Sequence, residues 1–128
     1  MSEPGDLVIV VDDDEAVRNS LKFSLELEGL SVRLYRGGAD LLAELDLPRN
    51  GCLVVDYTMP GMNGIELVRR LRQRHADYPA ILITSRATED LRRRAGRSGI
   101  PQVLEKPLED GHLLDSIQAV LAGTRLSP

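Results

Sequence analysis

Five short apolar runs punctuate the chain: Leu7–Val11, Ser31–Tyr35, Cys52–Val55, Ala80–Thr84 and Gln102–Glu105. Three stretches, Leu7–Val11, Cys52–Val55 and Ile81-Leu82-Ile83, are apolar almost without alternation. That is the pattern of strands covered on both faces in a parallel sheet. Gln102–Glu105 is weaker and reads as an edge strand. Between the runs, apolar residues recur at helical spacing. Within Glu15–Gly29, Val17, Leu21 and Leu25 recur every four residues, with Phe23, Leu27 and Leu30 beside them, and Gly29 is placed to cap the helix. Leu41, Leu42 and Leu45 predict a short helix after Gly37-Gly38. Ile65, Val68 and Leu71 form a stripe on another helix, and Leu114, Ile117 and Leu121 a further one, flanked by Leu113 and Val120. The segment Glu89–Gly96 has only Leu91 and Ala95 as apolar anchors, so it is the least secured helix.

Strand starts at residues 7, 31, 51, 79 and 102 leave 20 to 28 residues from one strand to the next. Such gaps are too long for hairpins and long enough for helical crossovers. Five repeats of strand then helix predict an α/β fold, a doubly wound five-stranded parallel sheet with helices on both faces. The 128 residues suit one domain, 1–128, with a core over about 7–122 and a tail or linker start at 123–128. Hydrophobic residues at 42% and charged residues at 28% exclude a disordered chain. The net charge of −4 removes the electrostatic reason to expect direct nucleic-acid binding. No apolar stretch approaches the ~20 residues of a membrane span. Met1–Asp6 is acidic where a signal peptide would be basic. A soluble, cytoplasmic protein that does not bind membranes is the expectation. The single cysteine, Cys52, makes no internal disulfide and lies in an apolar run, where a buried small hydrophobe is expected.

In an open parallel sheet, ligands bind outside the carboxyl ends of the strands. The first run ends in Asp12-Asp13-Asp14, the third in Asp56, the fourth in Thr84-Ser85 and the fifth in Glu105-Lys106-Pro107. Strands lying side by side would bring several carboxylates, a hydroxyl and an ammonium to one edge. Crowded carboxylates repel one another, and a cluster of oxygens is what a hard cation such as Mg²⁺ takes as ligands. One of the three aspartates is expected to cap the following helix. Capping alone does not account for three in a row, nor for Asp56 at a separate strand end. After Asp56 comes Tyr57-Thr58-Met59-Pro60-Gly61-Met62-Asn63-Gly64, whose Pro-Gly pair marks a turn. A carboxylate exposed there can act as a phosphoryl-accepting nucleophile, with a divalent ion and a lysine neutralising charge. The chain has two lysines against fourteen arginines, which singles out Lys106 at its strand end.

These residues resemble the CheY-like receiver domain of two-component response regulators. The resemblance rests on Val11-Asp12-Asp13-Asp14-Glu15, Val55–Gly64, Ile83-Thr84 and Glu105-Lys106-Pro107, and covers residues 7–122. It implies the flavodoxin-like strand order 2-1-3-4-5. It implies that Asp56 is the phosphoacceptor and that Asp13, Asp56, the Thr58 backbone carbonyl and Asp12 hold Mg²⁺. Thr84 would bond the phosphoryl oxygens and reorient, and Lys106 would pair with the phosphoryl group. Lys106-Pro107 would be a cis bond. The implied donor is a sensor histidine kinase or phosphotransfer protein, and the only catalysis is phosphorylation and dephosphorylation of the receiver itself. The wording is similar to receivers that precede helix-turn-helix DNA-binding outputs, a domain absent from this chain. The fourth helix, fifth strand and fifth helix would supply a homodimer or partner surface.

One position departs from the pattern. Three residues before the lysine most receivers carry Tyr or Phe as a rotamer switch, and here that residue is Val103. A β-branched aliphatic side chain cannot swing as a ring does. Arg86 and Thr58, two residues past Thr84 and Asp56, are placed to flank the site. Arg86, Arg92, Arg93, Arg94 and Arg97 form either a solvated face or a partner surface. Arg69, Arg70, Arg72 and Arg74 are expected to be solvated, and His75 and His112 to be surface residues. Two further readings remain open at this level. One is a phosphorylation-independent interaction module, motivated by Val103. The other is an aspartate-nucleophile phosphatase of haloacid-dehalogenase type, because Asp12-Asp13-Asp14 contains an Asp-x-Asp pattern. That reading lacks a cap domain and gives Asp56 no role.

Overall fold

The computed structural model describes residues 6–44, 46–48, 51–74, 78–108 and 111–126. The elements in order are β1 (Leu7–Val11), α1 (Glu15–Leu27), β2 (Ser31–Tyr35), α2 (Gly38–Leu42), β3 (Cys52–Asp56), α3 (Gly64–Gln73), β4 (Ala80–Thr84), α4 (Glu89–Arg97), β5 (Gln102–Glu105) and α5 (His112–Leu126). All strand pairs are parallel, in the order β2-β1-β3-β4-β5. The expected order is therefore present, with β5 at an edge. Helix α5 continues to Leu126, past the expected core end at 122.

Alternation along the strands divides the core between two faces. Ile9, Val11, Leu53, Val55, Leu82 and Val103 face Leu41 of α2 and the apolar sides of α3 and α4. Val8, Val10, Cys52, Val54, Ile81, Ile83 and Leu104 face α1 and α5. Every residue of β3 and β4 is buried, which is why those runs show no polar alternation.

The periodicity of α1 selects its buried side. Leu21 and Leu25 are buried, whereas Phe23 and Leu27 are each 69% exposed. At 100° per residue, a side chain two positions from a buried one points to the opposite side of the helix. Phe23 and Leu27 thus belong to the solvent face. In α5 the buried stripe is Leu113, Ile117 and Leu121, one residue earlier than expected at its start, and Leu114 is only partly buried at its margin.

The helix ends follow local chemistry. Asp14 caps α1 by accepting from the Ala16 and Val17 amides at 2.9 and 3.3 Å. At the other end Gly29 has φ +87°, its amide bonds the Glu26 carbonyl and the Leu30 amide bonds the Leu25 carbonyl. This is a Schellman closure that needs a left-handed residue. Asn63 caps α3 and Thr88 caps α4. Arg72 and Arg74 are not merely solvated. Arg72 donates to the Ser98 and Gly99 carbonyls after α4, and Arg74 to the carbonyl of Leu42, the last residue of α2. They join α3 to its neighbours. His112 is exposed as expected, while His75 and Leu45 lie outside the described residues. Among the described residues no helix is long and apolar enough to cross a membrane.

Candidate functional site

The parallel sheet places the carboxyl ends of β1, β3, β4 and β5 on one side, and Asp12, Asp56, Thr84 and Lys106 stand at or just after those ends. Carboxylate oxygens of Asp12, Asp13 and Asp56 lie within 4.8 Å of one another. Asp12 is fully buried, Asp56 is 5% exposed, and Asp13 is open to solvent. Asp12 Oδ1 accepts the Asp14 amide at 2.9 Å, which fixes its carboxylate plane. Lys106 Nζ donates to Asp12 Oδ2 at 3.1 Å and to Asp56 Oδ2 at 3.3 Å, bridging the two buried acids. Lys106-Pro107 is a cis peptide, as the resemblance implied.

The electrostatics follow from this crowding. Burial raises the Asp56 carboxyl above its ordinary range, and the nearby Asp12 charge raises it further, while Lys106 and the Thr58 amide partly offset both. Burial works against the Lys106 charge, yet its hydrogen bond and attraction to Asp12, and then to Asp56, hold its pKa above an ordinary lysine. The ammonium is thereby kept charged at neutral pH.

The remaining expected site residues sit around this cluster. The Thr58 amide donates weakly to Asp56 Oδ1 at 3.4 Å, and the Thr58 side chain is exposed. Thr84 is buried next to Asp56's strand, but its hydroxyl bonds the Arg86 backbone, accepting the amide at 3.2 Å, and not Asp56. Val103 is buried in the α3–α4 layer and does not reach the cluster. Cys52 is a buried free thiol whose pKa is pushed up to about 12 by burial, which keeps it protonated at neutral pH.

Sequence reasoning passed over three residues. Arg18 is buried and donates from Nη1 to the Asp12 carbonyl at 2.7 Å, fixing the backbone that carries the acidic pair. Its signal was present: Arg18, Leu21 and Leu25 share one helical stripe, so a charge sat on the apolar face. Gly64 packs against the Asp56 carbonyl. Tyr57 meets Arg94 of α4, a pairing across 37 residues that no local pattern announces.

Three oxygen acids without histidine or cysteine form a hard donor set, so the residues present fit a cation of the Mg²⁺ or Ca²⁺ type rather than zinc. A site of this composition at this sheet edge occurs in a known family. The model of the response regulator receiver domain matches residues 8–118. This chain belongs to the response regulator receiver domain family. Among relatives of this receiver, the transcriptional regulatory protein FixJ of Rhizobium meliloti is 37% identical over 111 residues, 87% of this chain and 54% of FixJ. The C4-dicarboxylate transport transcriptional regulatory protein DctR of Rhodobacter capsulatus is 37% identical over 117 residues, 90% of this chain and 59% of DctR. The receiver thus spans little more than half the length of these relatives. Its fold matches the crystal structure of FixJ-N with a TM-score of 0.84 at 34% identity, covering 100% of this chain and 99% of that one. It also matches the chemotaxis protein CheY4 of Vibrio cholerae with a TM-score of 0.85 at 26% identity, covering 91% and 99%. The receiver assignment leaves the dehalogenase-type phosphatase reading without support.

Proposed function

We propose that this receiver accepts a phosphoryl group on Asp56 and uses it to switch a partner or an output domain. The observation that carries the reading is the setting of Asp56: a buried strand-end carboxylate, 3.3 Å from the Lys106 ammonium and beside two further acids. In the transfer, an Asp56 carboxylate oxygen forms a bond to phosphorus. The bond from phosphorus to the donor nitrogen breaks, and its electron pair leaves with the imidazole of a histidine kinase or phosphotransfer protein. Asp12, Asp13, Asp56 and the Thr58 carbonyl would hold Mg²⁺, which when bound neutralises phosphoryl charge. Lys106 then shifts its donation from the two carboxylates to a phosphoryl oxygen. Thr84 exchanges its Arg86 backbone bond for one to the phosphoryl group, and the Thr58 amide is already aimed at Asp56. Catalysis by this chain is confined to its own phosphorylation and dephosphorylation.

The regulators among its relatives support a cytoplasmic role ahead of a DNA-binding output. The α4, β5 and α5 face, where Arg93 and Arg97 are exposed, is the proposed surface for a homodimer or partner. Intact mass after incubation with Mg²⁺ and acetyl phosphate tests the proposal. A gain of one phosphoryl group that needs Mg²⁺ and disappears in Asp56→Asn is expected. No gain in a folded, Mg²⁺-bound protein, with none from beryllofluoride either, would overturn it.

Val103 supports a second reading, a receiver fold that binds partners without phosphorylation, because its buried aliphatic side chain offers no ring to swing. A partner affinity or oligomeric state that responds to beryllofluoride would exclude this reading.

A further inference from the structure

Helix α4 is held to the body of the receiver by two apolar residues and two arginine hydrogen bonds. Only Leu91 and Ala95 are buried, so apolar packing secures it weakly. Arg92 and Arg94 lie ~80° to either side of that stripe at 100° per residue. They reach in opposite directions. Arg92 donates to the Val103 carbonyl of β5 at 3.0 Å. Arg94 donates to the Tyr57 hydroxyl at 3.1 Å, and its guanidinium carbon stands 5.7 Å from the centre of the Tyr57 ring. All four of these arginines are exposed, but Arg93 and Arg97 point away from the stripe and bond nothing on the sheet side of the helix among the described residues. The basic run therefore has two parts, a pair of inward braces and a solvated outer face.

Tyr57 directly follows Asp56. Its amide is tied to the Ile83 carbonyl at 2.8 Å and its carbonyl accepts the Gly64 amide at 3.0 Å. Its ring is half-buried against the α3–α4 layer. The backbone that presents Asp56 thus also carries the ring that Arg94 grips. On the other flank, the loop before α4 is tied to β5 by the Ala87 amide on the Glu105 carboxylate at 2.7 Å, and to Thr84 through Arg86.

We propose that the Tyr57–Arg94 pair is the link by which the state of Asp56 reaches α4, in place of an aromatic side chain at position 103. The proposal rests on Asp56 being the phosphoacceptor. A phosphoryl group on Asp56 adds about −1.5 to −2 charges and new acceptor oxygens. The Thr58 amide, already aimed at Asp56, follows those oxygens outward and the Thr84 hydroxyl turns toward them, which re-aims the Tyr57 backbone on one side of α4 and the Arg86 loop on the other. Tyr57 carries Arg94 with it. A helix with two apolar anchors yields to such a displacement, whereas the all-buried strands β3 and β4 do not.

Amide exchange across residues 85–97 tests the link, measured on the full chain with and without beryllofluoride and Mg²⁺, with intact mass after acetyl phosphate measured in parallel. The variants are Tyr57→Phe, which keeps the ring and removes the hydroxyl, Arg94→Gln, and the two combined. All three are expected to gain one phosphoryl group as the parent does. Their activation-induced change in exchange over 85–97 is expected to fall at least twofold, with the double variant no worse than the Arg94 single. Variants that phosphorylate and change exchange like the parent overturn the link alone. A parent chain that takes up neither phosphoryl group nor beryllofluoride overturns the phosphoacceptor reading and the link with it.

Discussion

Gly64 lies so close to Asp56 that a Cβ atom built on it would stand 2.7 Å from the Asp56 carbonyl oxygen and 2.8 Å from Leu82 Cδ1. Both obstacles belong to the buried centre of the sheet, so neither can give way cheaply. Gly64→Ala is expected to cost about 1–3 kcal/mol, the usual range for overpacking. It should also displace the Asp56 strand end and slow phosphorylation by acetyl phosphate. Urea midpoints and the rate of mass gain check both effects. An unchanged midpoint would show that the turn relaxes freely.

A substitution at Asp13 tests the proposed metal binding apart from fold stability. Its carboxylate is exposed and, among the described residues, has no hydrogen-bond or ion-pair partner, yet it belongs to the three-acid cluster. Asp13→Asn should leave the metal-free stability within about 0.5 kcal/mol, as surface changes do. Mg²⁺ at a hundred times its Kd should stabilise the parent by about 2.7 kcal/mol. The variant should lose most of that gain at the same concentration. Thermal melts with and without Mg²⁺ decide, and equal Mg²⁺ shifts in both proteins would remove Asp13 from the ligand set.

Arg18 joins the helix α1 to the acidic pair through the Asp12 carbonyl. Arg18→Met keeps the stem and leaves that carbonyl without its donor. A cost of about 1–3 kcal/mol is expected, the range for an unsatisfied buried acceptor. Arg18→Lys should recover part of it. Chemical denaturation of the three proteins gives the comparison, and a Met variant as stable as the parent would mean that water replaces the guanidinium.

Burial pushes the Cys52 thiol up to about 12 in the folded chain, from an ordinary 9.0. The folded chain therefore keeps its proton where the unfolded chain loses it. This contribution to stability is fully present below pH 9 and is lost as pH rises toward 12, at about 1.4 kcal/mol per pH unit. Stability should fall more steeply with pH above 9 in the parent than in Cys52→Ala, whatever the offset between them. Parallel curves would contradict the raised pKa. At pH 8 the thiol should react with alkylating reagents only as fast as the chain unfolds.

The two faces of α1 should respond oppositely to truncation. Leu25→Ala removes a buried side chain and should cost about 2–5 kcal/mol. Phe23→Ala removes an exposed one and should change stability by less than about 0.5 kcal/mol. Thermal denaturation checks the pair, and a large loss at Phe23 would mean that its ring packs more than its exposure shows.

Apolar runs and their spacing determined the strands, the crossovers and the parallel sheet, because strands covered on both faces must be apolar at nearly every position. The same pattern predicted the acidic residues, the threonine and the lysine at strand ends, where a parallel sheet gathers its loops. Periodicity also put Leu21 and Leu25 on one stripe of α1, whereas Phe23 and Leu27, grouped beside them in the sequence, proved to lie on its solvent face. Only the tertiary structure decided which contacts cross the sheet. Lys106 meets Asp12 across 94 residues, Arg94 meets Tyr57 across 37, and Arg72 meets Ser98 across 26. A polar side chain of this length can satisfy itself with water or with any carbonyl in reach, so its sequence neighbours do not constrain its partner. At Lys106 the burial of both partner carboxylates removes the water and leaves one partner geometry. The exposed Arg94 and half-buried Arg72 find their partners because the packing of the helices brings those groups within reach. The chemistry at the strand ends was therefore written locally, whereas the bracing of α4 exists only in the assembled fold.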